Sequence, residues 1–133
     1  MAAGASLLAA LLATPCHADP RDTFDAQLVR HAGRAATQCG LFKLDDPAPA
    51  GWQCAQAAER AGRPYWFAFF GPGEDSMVGI AAIRTPTGAH VVLEFDSDPN
   101  GGNADHPQVR TTACPVTFGY EPGRWPRFPC IAK

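Results

Sequence analysis

"MVGIAAIRTPTGAHVVLEFD", residues 77–96, carries the pattern that decides the fold. In its second half Val91, Leu93 and Phe95 alternate with His90, Val92, Glu94 and Asp96. That period of two is the mark of a strand with one face buried. "MVGIAAIRT" (77–85) reads as the strand before it, and "TPTG" (85–88), with Pro second and Gly fourth, reads as the turn between them. The stretch is therefore predicted to fold back on itself as an antiparallel pair.

Working outward, "YWFAFF" (65–70) adds an aromatic, β-prone strand, joined through the loop "GPGEDS" (71–76). After a loop over 97–107, "QVRTTACPVTFGY" (108–120) supplies a fourth strand. Pro115 lacks a backbone N–H, so this strand is expected to lie at a sheet edge or to end there. Upstream the period changes. Phe24, Leu28, Ala32, Ala35 and Cys39 recur at helical spacing over 22–38, with Asp22 as N-cap, Asp25 in the first turn and Gly40 as the stop. The Pro-rich connector "LDDPAPAG" (44–51) leads to a second helix over 52–61, ended by Gly62 and Pro64. The tail "EPGRWPRFPCIAK" (121–133) has no regular period. Helices first and strands afterwards predict an α+β fold: two N-terminal helices packed on one face of an antiparallel meander of about four strands. No repeat or linker divides residues 19–133, so one domain is expected.

The N-terminus points to export. "ASLLAALLA" (5–13) is uncharged and apolar, too short to span a bilayer and suited to a signal-peptide core, with "CHA" (16–18) as a small-x-small cleavage site. Residues 1–18 are thus expected to be removed. Cys16 would suit a lipoprotein, but Pro15 stands where a small residue is wanted, and a basic n-region would have to lie before Met1. Cleavage leaves Cys39, Cys54, Cys114 and Cys130. An even set in an exported chain predicts two disulfides. Of the three possible connectivities the expected one is Cys39–Cys54 with Cys114–Cys130, which closes two loops of about 15 residues, each contributing roughly 3 kcal/mol. Zinc is a poor alternative, because no C-x-x-C pair exists and His31, His90 and His106 are widely spaced.

A formal charge of −2 with scattered basic residues gives no footprint for nucleic acid or an anionic membrane surface. Beyond the leader, no segment is apolar enough for a stable membrane anchor.

Three features are candidates for function. The first is "DSDPNGG" (96–102), which matches the opening of a calcium loop: Asp96, Asp98 and Asn100 at alternate positions, then Gly101, with Gly102 offering a carbonyl. The last ligand fails, since Pro107 stands where a bidentate Glu belongs, and a strand enters where an EF-hand has a helix. In a meander, Glu74 and Asp75 fall at the same end of the sheet and would complete such a shell. Asp, Asn, Gly and Pro also make ordinary turns, so this composition needs no metal.

The second is the acidic rim itself. Glu74, Asp75, Glu94, Asp96, Asp98 and His106 converging would allow acid–base chemistry in a small hydrolase. Ser76 lacks the G-x-S-x-G elbow, however, and a solvated rim explains the charges equally.

The third is aromatic. "YWFAFF" is apolar on both faces, so both must be covered. With helices on one face, Trp66 and Phe70, together with Trp125 and Phe128 of the tail, are expected to form either core or a binding surface. No cofactor motif is present. The expected function is a small exported binding or accessory protein, an inhibitor or adaptor without catalytic activity. Its partner would be a protein or small ligand. A calcium-stabilised module and a hydrolase are the alternatives.

Overall fold

The computed structural model describes residues 18–102 and 106–132. The leader and its cleavage site, which fall on 1–18, lie outside the described residues apart from Ala18, as does the 103–105 part of the acidic loop. The chain runs α1 (Pro20–Ala32), β1 (Thr37–Phe42), α2 (Pro49–Arg60), β2 (Tyr65–Pro72), β3 (Met77–Arg84), β4 (His90–Asp96), β5 (Gln108–Cys114), β6 (Thr117–Phe118) and β7 (Cys130–Ile131). The fold is α+β with two disulfides, Cys39–Cys54 and Cys114–Cys130.

Strands β1 to β5 form one sheet in sequence order. β2 to β5 are the expected antiparallel meander. β1 corrects the sequence reading, which carried the first helix through to residue 38. The helix is capped by Asp19 rather than Asp22: its side chain accepts the Arg21 N–H at 2.8 Å, with Pro20 at the first helical position. It ends at Gly33, whose φ of 84° suits glycine, seven residues before the stop expected at Gly40. The apolar spacing that runs on to Cys39 therefore belongs to two elements. Thr37–Phe42 is extended and pairs parallel with β2, and α2 is the crossover that parallel pairing requires.

That crossover overturns a second expectation: the two helices lie on opposite faces. Phe24, Leu28 and Ala32 of α1 share a core with Ala68, Ala81, Ile83, Leu93 and Phe95. Ala55 and Ala58 of α2 share another with Tyr65, Phe67, Phe69, Ala82 and Val92. Because strand residues alternate, Phe67 and Ala68 face opposite ways, and the sheet is the middle of three layers. Gly79 shows how closely α1 seats, since a β-carbon there would stand 2.7 Å from the Phe24 ring.

α2 covers only one end of its face, and the tail covers part of the rest. Tyr120 stacks on Phe69 with ring centroids 5.8 Å apart, and its hydroxyl donates to the Pro47 carbonyl at 2.8 Å. Phe128 is 5% exposed and packs edge-on against Phe67 at 5.6 Å. The tail is more regular than its composition suggests: β6 pairs with β7, and Glu121 bridges Arg127.

Candidate binding site

The register sets out the α2 face of the sheet as four rows. Tyr65, Arg84, His90 and Cys114 form the first, followed by Phe67, Ala82, Val92 and Thr112. The third holds Phe69, Ile80, Glu94 and Arg110, and the fourth Gly71, Val78, Asp96 and Gln108. α2 and Phe118 sit at the first rows, and the tail aromatics cover the β2 side of the middle. The third and fourth rows stay open toward β5.

A groove of about 380 Å³ lies there. Its floor is Val78, Ile80, Glu94, Asp96, Gln108 and Arg110, and its walls are Leu44 and the tail residues Trp125, Pro126 and Arg127. A second hollow of about 390 Å³ continues it toward Thr112 and the Cys130 end of the tail, sharing Ile80, Glu94 and Arg127. Polar and apolar surfaces therefore meet in one channel between sheet and tail. Trp125 stands at its edge, 50% exposed. Tryptophan is among the side chains that most often anchor binding interfaces.

The charges in the channel are incompletely paired. Arg127 is held by Glu121 at 2.6 Å. Arg110 stands directly across from Glu94 in the register, yet the two make no ion pair. Among the described residues its guanidinium reaches only the Gln108 side-chain oxygen, at 3.5 Å. Among the described residues Glu94 has no cationic partner.

The acidic loops do meet, as the topology predicts. Ser97 ties them: its hydroxyl accepts the Met77 N–H at 2.8 Å, and its own N–H donates to the Met77 carbonyl at 2.8 Å. Asp75 comes beside Gly101, with a carboxylate oxygen 3.4 Å from where a β-carbon on Gly101 would stand. Asp96 accepts the Asp98 N–H at 2.9 Å, an Asx turn that gives this aspartate a structural task. Glu74, Asn100 and Gly102 are exposed, as are His106 and Pro107. Among the described residues no three His, Cys, Asp or Glu side chains are grouped to hold a metal. Glu94 and Asp96 turn into the groove, on the opposite side of β4 from Leu93 and Phe95.

The four aromatic candidates separate. Trp66 and Phe70 lie on the α1 face, where Phe70 stacks on Phe24 at 5.4 Å. Phe128 is core on the other face, and Trp125 remains accessible beside it.

A polar cluster that sequence reasoning missed lies at the far end of the same face. Glu59, in the last turn of α2, places both carboxylate oxygens 2.9 Å from Nε2 of His90. A carboxylate only accepts, so Nε2 carries the hydrogen and donates. Arg84 Nε is 3.7 Å from the same carboxylate. Tyr65 is raised far above the usual tyrosine range, first by burial and then by the negative charge of Glu59, with Arg84 opposing. His90 is 9% exposed, and neither hollow of the channel is lined by a member of this cluster. Its role is to tie α2 to the sheet. A helix position meeting a strand position 31 residues away leaves no local sequence signal.

Comparison with known protein families, with characterised proteins and with solved structures finds no match. No helix among the described residues is long and apolar enough to cross a membrane. Two disulfides suit an oxidising compartment outside the cytosol.

Proposed function

We propose that this is an exported, disulfide-stapled binding protein, an adaptor or inhibitor in kind, that holds its partner in the channel between the sheet and the C-terminal tail. The observation that carries this reading is the half-exposed Trp125 on the wall of a groove of about 380 Å³. That volume is in the range of ligand sites, and an aromatic anchor beside a few convergent polar groups is what such sites present. Glu94 and Arg110 supply those polar groups on the floor. The two disulfides fit the exported setting, and Cys114–Cys130 fastens the wall to the floor.

Panning a phage library of linear octapeptides on the oxidised chain tests the reading. Clones are expected to enrich on the wild type and to lose binding to Trp125→Ala. Clones that bind both proteins equally would place recognition elsewhere.

A further inference from the structure

We propose that the partner is an extended polypeptide segment that pairs with β5 as a sixth strand and sets alternate side chains into the channel beneath the tail. The inference rests on the reading of that channel as the binding site.

Three observations support it. The first is the edge. β5 closes the strand order, and its pairing with β4 runs unbroken from His90↔Cys114 to Asp96↔Gln108. On its outer side no backbone hydrogen bond to another described residue is made. "QVRTTAC" (108–114) contains no Pro, and its register with β4 has no bulge, two of the devices that blunt exposed edges. A row of unpaired N–H and C=O groups at strand spacing is matched by another extended backbone.

The second is where that edge opens. Gln108 and Arg110 line the main groove, and Thr112 lines its continuation. All three point to one face, so every second side chain of an added strand enters the space bounded by Trp125 and Arg127. Backbone pairing then supplies affinity and the channel supplies selectivity, the division of labour in strand addition.

The third is charge. The row Phe69, Ile80, Glu94, Arg110 ends on a guanidinium with no carboxylate partner among the described residues. The next position outward belongs to the partner, and opposite charges across a strand pair are favoured, so an acidic residue belongs there. A residue two positions away on the same face meets Trp125 and is apolar or aromatic. This also selects among occupants. β5 has no Asp or Glu, so a second copy pairing through the same edge offers Arg110 no carboxylate in any register.

The test uses octapeptides selected on the oxidised full chain, resynthesised with one backbone N-methyl group at each position in turn. N-methylation at alternate positions should weaken binding at least tenfold, while the intervening positions tolerate it. The selected peptides should share an acidic residue two positions from an apolar or aromatic one. Arg110→Glu, with its melting curve unchanged, should exchange that acidic preference for a basic one. If binding still needs Trp125 but tolerates N-methylation everywhere, strand addition falls and the groove reading stands. If no peptide shows Trp125-dependent binding, both fall. Sedimentation showing a dimer that Arg110→Glu dissociates would make the occupant a second copy and overturn the proposal.

Discussion

Glu121 and Arg127 are joined by backbone hydrogen bonds of 2.9 and 3.0 Å in both directions and by a side-chain ion pair at 2.6 Å. Together they close the loop that carries Trp125 over the sheet. The ion pair is solvent-exposed, and exposed pairs contribute less than about 1 kcal/mol. Arg127→Ala should therefore leave the denaturant midpoint almost unmoved while weakening octapeptide binding several-fold. Loss of stability without loss of binding would make the loop a structural brace alone.

Two aromatics three residues apart in the tail should behave oppositely. Phe128 is buried among Phe67, Phe69 and Tyr120, so Phe128→Ala should cost about 3–5 kcal/mol in urea unfolding. Trp125 is 50% exposed, so Trp125→Ala should change stability by only about 0.5 kcal/mol. Similar losses for both would mean that Trp125 is part of the core.

The tail also depends on its cross-link. Cys114–Cys130 closes a loop with a sequence separation of 16, for which chain entropy gives about 3 kcal/mol. The double variant Cys114→Ala/Cys130→Ala should show that loss in urea unfolding. Hydrogen exchange should quicken in 117–131 while α1 stays protected.

Tyr65 gives a signature at alkaline pH. Burial and then the Glu59 charge raise its pKa above the unfolded value of about 10. Above that pH the unfolded chain has released a proton that the folded chain keeps. Stability is therefore full below pH 10 and falls as pH rises from there, by about 1.4 kcal/mol per pH unit for this one group. Urea midpoints from pH 9 to 12 should show the decline, and Tyr65→Phe should flatten it.

Asp96 makes a turn by accepting the Asp98 N–H, and we propose that the acidic loops act as turns without calcium. Thermal melts of the oxidised chain in EDTA and in millimolar calcium should superimpose. Saturation at one hundred times a dissociation constant would add about 2.7 kcal/mol and raise the midpoint by several degrees. A rise lost in both Asp96→Ala and Asp98→Ala would restore the metal reading.

Local signals were readable and distant ones were not. The alternation in 89–96, the TPTG turn and the strand end before Pro115 rest on neighbouring residues, and each element appears where its pattern lies. The two disulfides join cysteines close in sequence and were legible from spacing. β1 was hidden because the apolar spacing of α1 continues by coincidence through Ala35 to Cys39, and Gly33 carried the break. Missing β1 removed the parallel pair, and with it the reason for α2 to lie opposite α1. At the site, Glu94 and Asp96 were visible as one side of a strand. Arg110 and Arg127 join them only through register and tail placement, and the Glu59–His90 contact at the far end of the face, like that of Tyr120 with Pro47 across 73 residues, is equally long-range.

In the proposed binding mode, partners meet this protein at the tail and β5. The most direct measurement is photo-crosslinking in the cells that produce the chain, with p-benzoylphenylalanine in place of Trp125 and, separately, of the exposed Val29 on α1. A discrete adduct is expected from position 125 and none from position 29. No adduct from position 125, or equal adducts from both, would contradict it.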